Sequence, residues 1–238
     1  MDFKQPLSTG VFIRRDNRFS ATVKIGHRLV SCFVPNSGRL KELLRLGKEV
    51  LVQEIEQPNR KTDFDLLLVR TASGLVSVDS RLPNRLFKEE FLAKNIPFFN
   101  IYTSIRHEVR YRNSRFDFKL SNPIRALKGK IPDEYFLELK SVTLVRGHEI
   151  AMFPDAPTSR GTRHLSDLIH AKHEGYGAGI LFCIQREDAD YFTPYADNDP
   201  DFATMLKMAK NEGVDVMAYL CVVDEETITM AEPIPVKL

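Results

Sequence analysis

The stretch Arg115-Phe116-Asp117-Phe118-Lys119-Leu120, taken with Tyr135-Phe136-Leu137-Glu138-Leu139-Lys140, decides how the second half of this chain folds. Both runs alternate apolar and polar residues at period two, the signature of β-strands. Side chains two apart on a strand share a face, so Glu138 and Lys140 point together while Leu137 and Leu139 point the other way. Asp117, on the preceding strand, brings a second acid to the same place. Carboxylates on apolar strands are unfavourable unless a cation, a lysine or hydrogen bonds compensate them. A hard divalent ion, Mg²⁺ or Mn²⁺, supplies that compensation and can hold a water against a phosphodiester. The same residue types also fit a structural ion pair between Asp117 and Lys140.

An Asp followed on the next strand by Glu-x-Lys resembles the pattern of the PD-(D/E)xK nuclease superfamily. The triplet alone is common, so its weight comes from two consecutive strands carrying it in order. The resemblance implies catalytic roles for Asp117, Glu138 and Lys140, with Asp117 and Glu138 as metal ligands. It also implies a supporting acid upstream, for which Glu108 in the run from Ser104 to Tyr111 stands in place. In that arrangement Lys140 orients the attacking water and steadies developing negative charge, and Glu108 assists the metal through water.

At 238 residues with no long apolar run, the chain accommodates one large or two modest domains and no membrane span. The first seven residues lack the apolar core of a signal peptide, and the three cysteines, Cys32, Cys183 and Cys221, are scattered and odd in number. Both observations point to a reducing cytoplasm. The net charge of +2 hides an asymmetry, because Arg and Lys crowd the first half while acids gather later at Asp197, Asp199, Asp201 and Asp224-Glu225-Glu226. The basic half is where a polyanion would bind.

Short β-rich runs from Thr9 to Ile13, Phe19 to Ile25, Leu29 to Val34 and Glu49 to Ile55 alternate with turn residues, and Asp65 to Thr71 with Leu75 to Val78 adds a hairpin. With a helical insert expected from Leu40 to Leu46, the spacing suggests a small closed barrel of the OB type over residues 1–82. Pro83-Asn84 opens a bridging helix that Asn95-Ile96-Pro97 closes. Residues 83–238 then alternate strands with helices, at Ser159 to Glu174 and Asp201 to Glu212, and a terminal pair of short strands suggests an edge hairpin. The expected fold is therefore α+β in two domains, an OB-like barrel followed by an α/β nuclease-like unit on a mixed sheet. The Gly175-x-Gly177-x-Gly179 run precedes a strand, the reverse of what a dinucleotide fingerprint requires, and is rejected as one.

Candidate nucleic-acid contacts fall in two groups. Arg14, Arg15, Arg18, Lys24, Arg28 and Arg39 crowd the barrel, interleaved with Phe12, Phe19 and Phe33, of which at least two are expected to close the barrel interior. Arg160, Arg163 and His164 open the helix after Phe153-Pro154-Asp155, where free amides favour an anion. Zinc is not expected, because among His164, His170 and His173 only the last two are spaced for shared coordination and no cysteine lies near. Gln185, at a strand end, either points into the cleft or meets water.

Several longer strings extend the resemblance end to end. Phe19-Ser20-Ala21-Thr22-Val23, Val34-Pro35-Asn36-Ser37-Gly38-Arg39, Leu82-Pro83-Asn84-Arg85-Leu86, Ser114-Arg115-Phe116-Asp117-Phe118, Leu137 to Leu144, Phe153-Pro154-Asp155-Ala156, Arg160-Gly161 with His164-Leu165, and Pro235-Val236-Lys237-Leu238 resemble the sugar fermentation stimulation protein A family. The resemblance implies a cytoplasmic prokaryotic protein that binds DNA largely without sequence preference and is linked to the regulation of sugar, particularly maltose, use. Departures are mild: Ser37 stands where threonine is more usual, and the segment after Leu144 is short. Two readings remain open: a Mg²⁺- or Mn²⁺-dependent nuclease, or a regulator that binds DNA and cuts nothing, its nuclease site vestigial. An RNA-processing factor is a third. Admissible partners are DNA, duplex or single-stranded, and a second copy of the chain.

Overall fold

Six short strands rich in Val, Leu and Ile build the first unit: β1 (Ser8–Asn17), β2 (Ser20–Ile25), β3 (Arg28–Phe33), β4 (Glu49–Glu54), β5 (Phe64–Thr71) and β6 (Gly74–Ser77). The computed structural model describes residues 1–3, 5–58, 60–122, 132–147 and 149–238. The strands lie in the order β3-β2-β1-β4-β5-β6, and a parallel pairing of Cys32 with Phe64 and of Phe33 with Asp65 joins β3 to β5 and closes an OB-type barrel. Its interior is filled by Phe12, Val23, Val50, Val52, Leu66 and their neighbours. Of the three phenylalanines expected to divide between inside and outside, Phe12 is buried, Phe33 half-buried and Phe19 46% exposed.

The insert expected as a helix over 40–46 forms only turns. Leu40 adopts a left-handed backbone at φ 52° and Gly47 one at φ 83°, so a single hydrogen-bonded turn, Leu44 N–H to the Leu40 carbonyl, fits between them. Burial of Leu40 and Leu43 in the barrel core wins over local helix propensity.

Helix α1 (Leu82–Leu92) follows, with Pro83 at its first turn and Leu86, Phe87 and Phe91 on its buried face. The second unit then runs β7 (Ser104–Tyr111), β8 (Ser114–Ser121), β9 (Glu134–Val142), β10 (Leu144–Arg146), β11 (Ile150–Phe153), α2 (Ser159–His173), β12 (Gly177–Ile184), β13 (Tyr191–Pro194), α3 (Pro200–Asn211), β14 (Asp215–Val223) and β15 (Ile228–Pro233). Its main sheet has the order β15-β14-β12-β9-β8-β7, with β9, β12 and β14 parallel at the centre and antiparallel strands at both edges. A separate three-stranded sheet, β10-β11-β13, carries no signal in the sequence because strands of three and four residues are too short to show a period. The expected terminal hairpin is also replaced: β15 pairs with β14, and Val236 bridges to Phe192 instead of folding back on β15.

Two apolar layers sandwich the main sheet. On one face Leu86, Phe87 and Phe91 of α1 and Leu51, Leu67, Leu68 and Leu75 of the barrel share a core with Phe118, Leu137 and Leu139. On the other, α2 and α3 cover Phe116, Phe136, Ile180 and Phe182. Barrel and sheet therefore meet through a common apolar core.

The glycines Gly177 and Gly179 serve packing. β12 pairs with β9 so that Gly177 lies opposite Tyr135, whose ring covers both glycines and whose hydroxyl donates to Asp215 Oδ2 at 2.9 Å. A Cβ at Gly179 would collide with the Tyr135 hydroxyl and press the Asp215 carbonyl at 3.1 Å. Gly179→Ala is expected to cost about 1–3 kcal/mol by overpacking, read as a lower urea midpoint at unchanged slope. An unaltered midpoint would contradict this account of the glycines.

Candidate functional site

The site is built where β8 parts from β9. Their antiparallel register pairs Phe118 with Leu137, and the next step would set Asp117 directly opposite Glu138, but the ladder stops there. The freed Leu139 amide instead donates to Asp117 Oδ2 at 2.8 Å. Phe116 packs under α2 whereas Phe118, two residues on, packs against α1, so β8 switches faces at Asp117. The aspartate side chain thus takes the place of a strand carbonyl in the gap between the strands. From α1, Asn84 Nδ2 fixes its other oxygen at 2.9 Å.

Glu138 is 3% exposed, and its Oε1 receives Lys140 Nζ at 2.5 Å and His164 Nδ1 at 2.5 Å. Arg160 Nε donates to His164 Nε2 at 3.3 Å, which leaves Nδ1 as the ring nitrogen that carries the proton toward Glu138. Glu138 Oε2 is buried and has no hydrogen-bond partner among the described residues. Burial, and then the Glu138 charge opposite, push the Asp117 carboxyl above the ordinary aspartate value despite the Leu139 amide, Asn84 and Lys140. Burial also works against ionisation of Glu138, but Lys140 and His164 outweigh it and hold that carboxyl below its usual value. Lys140 therefore pairs with Glu138, and the alternative pairing with Asp117 does not form among the described residues.

Two carboxylates facing each other across neighbouring strands, one with an orphaned buried oxygen, are what a hard cation would relieve. Among the described residues no set of three or more carboxylate, imidazole or thiolate side chains is placed to hold a metal, and His164 is turned to Glu138 Oε1 through Nδ1, so Asp117 and Glu138 are the side chains that would hold it and its remaining positions would fall to backbone or water oxygens.

Asp117, Glu138 and Lys140 line a cleft of about 600 Å³ between barrel and second unit. Its barrel wall carries Arg18 and the Asn36-Ser37-Gly38 turn, and its opposite wall carries Phe153 to Thr158 and Arg160. Of the residues expected to meet nucleic acid, Arg18 and Arg160 thus stand in the cleft, and Arg39 is exposed beside it. Arg14, Lys24, Arg28 and Arg163 are exposed elsewhere on the surface, Arg14 bonded to Asp16 at 2.7 Å.

Three expected residues have other surroundings. Glu108 lies across from Asp117 by register, but its left-handed backbone at φ 50° turns its side chain out to Arg115, 3.3 Å away, and it does not line the cleft. Arg15 directs its guanidinium at five carbonyls, those of Asn17, Arg18, Asn36, Gly38 and Arg39, and so clamps the barrel turn instead of facing phosphate. His164 is 1% exposed behind Glu138 and cannot reach a ligand's phosphate. Sequence reasoning missed that His164 and Asn84 hold the two acids. Gln185, expected either to point into the cleft or to meet water, does neither and is fully buried: Nε2 donates to Ser77 Oγ at 2.8 Å and the Asp79 carbonyl at 3.1 Å, and Oε1 receives Ser141 Oγ at 2.7 Å. The only available hint was that a Gln ends a wholly apolar strand.

Fold and cleft together define a two-domain protein in which an OB barrel precedes a nuclease-like α/β unit. Residues 13–78 match the SfsA N-terminal OB domain, and residues 81–227 match the sugar fermentation stimulation protein RE domain. The chain belongs to the sugar fermentation stimulation protein family. It is 42% identical over 238 residues to a sugar fermentation stimulation protein homolog of Clostridium tetani, with 100% of both chains covered, and 43% identical over 227 residues to one of Alkaliphilus metalliredigens, with 95% of each covered. Among solved structures it is similar to Pyrococcus furiosus SfsA in complex with Ca²⁺, at TM-score 0.88 and 30% identity, covering 100% of this chain and 98% of that one.

Lys140→Met tests the electrostatics of Glu138. The wild-type carboxyl, held low, contributes stability above the ordinary glutamate value that is lost as pH falls through the depressed one. Without Lys140, burial lifts the carboxyl, and the variant is expected to be less stable by roughly 1–3 kcal/mol near neutrality. Denaturation at pH 7 and pH 4 should show that deficit shrinking on acidification. A deficit independent of pH would contradict it.

Proposed function

We propose that the chain is a DNA-binding phosphodiesterase whose hydrolytic centre is Asp117, Glu138 and Lys140 with Mg²⁺ or Mn²⁺. The observation that carries this reading is Glu138 Oε2, buried and unpartnered, beside a second carboxylate held at raised pKa. The Ca²⁺ in the Pyrococcus furiosus relative supports it, because Ca²⁺, Mg²⁺ and Mn²⁺ are all bound through oxygen. When bound, such an ion supplies positive charge against a phosphoryl oxygen and lowers the pKa of a coordinated water.

The protein's own residues do the rest. Asp117 and Glu138 would hold the ion, the former oriented by Asn84 and the Leu139 amide, the latter by His164. Lys140, beside Glu138, places an ammonium where negative charge accumulates during attack on phosphorus. Arg18 and Arg160, on facing walls, suit phosphates on either side of the scissile bond. Contacts of this kind recognise backbone and carry no base preference.

Incubating the protein with duplex DNA, single-stranded DNA and RNA, with and without Mg²⁺ or Mn²⁺, beside Glu138→Ala, tests the proposal. The expected result is cleavage that needs metal and falls by roughly a hundredfold or more in the variant. Binding without cleavage in both proteins would identify a regulator that cuts nothing, and exclusive action on RNA would identify an RNA-processing factor.

A further inference from the structure

We infer that the nucleic acid this cleft accepts is an unpaired strand, with the exposed Phe19 on the barrel rim as the platform on which one of its bases stacks. The inference rests on reading the cleft as a nucleic-acid site and adds which kind.

Phe19 is 46% exposed at the turn between β1 and β2. An isolated exposed apolar side chain needs no explanation, but this one is not isolated. Its ring lies over that of Phe33, centroids 6.4 Å apart and planes 23° from parallel. The Arg18 guanidinium sits 5.5 Å from the Phe19 centroid, and Arg60 and Arg81 each sit 5.7 Å from that of Phe33. Arg18 and Arg81 also line the cleft that holds Asp117, Glu138 and Lys140. Arg60 and Arg81 are held by Asp65 and Asp79, whereas Arg18 both flanks the Phe19 ring and lines the cleft, and a flat apolar face beside such a guanidinium is the combination that binds an unpaired base and its phosphate together. In a duplex the base faces are stacked on one another, and such a platform finds nothing to cover.

The cleft walls are also tied to each other. Asp155 Oδ2, on the second unit, accepts the Arg39 amide of the barrel at 2.6 Å and the Leu40 amide at 3.3 Å, and Gly38 approaches so closely that a Cβ there would meet the Asp155 carboxylate at 2.6 Å. Gln185 fastens the barrel's Ser77 and Asp79 to Ser141 of β9 at the floor. A crevice of about 600 Å³ whose walls are tied at two places suits one strand better than two. Glu138, 3% exposed at its base, is within reach only of a backbone that threads in.

The test is fluorescence anisotropy of the full-length protein with a labelled single-stranded oligonucleotide and with the matching duplex, in Ca²⁺, the oligonucleotides being checked intact afterwards. The single strand is expected to bind at least tenfold more tightly. Phe19→Ala, at a position that supports no core, is expected to weaken single-strand binding by roughly tenfold, the equivalent of about 1.4 kcal/mol of base stacking, and to leave duplex binding unchanged. Phe19→Trp should restore it. Duplex binding as tight as single-strand binding, or an unaltered affinity in Phe19→Ala, would overturn the inference and leave the hydrolytic centre standing. Failure to bind either nucleic acid would remove both.

Discussion

The opposition of Asp117 and Glu138 across two adjacent strands is the constraint around which this protein is arranged. Like charges facing each other in a sheet repel, and burial raises the penalty. The structure meets it in three ways that are visible locally. β8 leaves the ladder so that the Leu139 amide can bond the aspartate, α1 lends Asn84 to its second oxygen, and α2 delivers His164 to the glutamate alongside Lys140. One oxygen of four is still without a partner among the described residues. Two carboxylates buried and oriented so thoroughly, with one oxygen left bare, are the observation on which the proposed metal site rests.

The barrel is part of this arrangement and not an appendage. It shares an apolar core with α1 and one face of the main sheet, and two polar ties, through Gln185 and Asp155, set its wall against the acids. The cleft lies where the closed barrel and the open sheet, joined through that shared core, are held in place by these ties. Arg15, with its guanidinium directed at five carbonyls, stiffens the turn that forms the barrel's side of that cleft.

What the sequence disclosed and what it hid follow from the range of the interactions concerned. Period-two alternation at 115–120 and 135–140 is a local property, and so the two strands and the acids on them could be read directly. The strand-rich barrel and the two later helices were legible for the same reason, and the structure adds the Thr158 and Asp199 side chains that cap those helices. The face switch at Asp117 and the left-handed turn at Glu108 are backbone events that alternation cannot foresee, and they are why one acid reaches the cleft and its neighbour across the register does not. His164 and Arg15 look like surface cations in sequence. Only tertiary proximity reveals that one holds Glu138 and the other holds a turn. The insert at 40–46 reads as a helix until Leu40 and Leu43 are seen to be needed beneath the barrel.

The most direct test is a crystal of the protein soaked in Mn²⁺ and measured at the manganese absorption edge. Anomalous density between Asp117 and Glu138, in contact with Glu138 Oε2, is the predicted result. A soaked crystal with the two carboxylates well ordered and no such density, or with manganese bound only elsewhere, would contradict the claim that this pair is built for a hard cation.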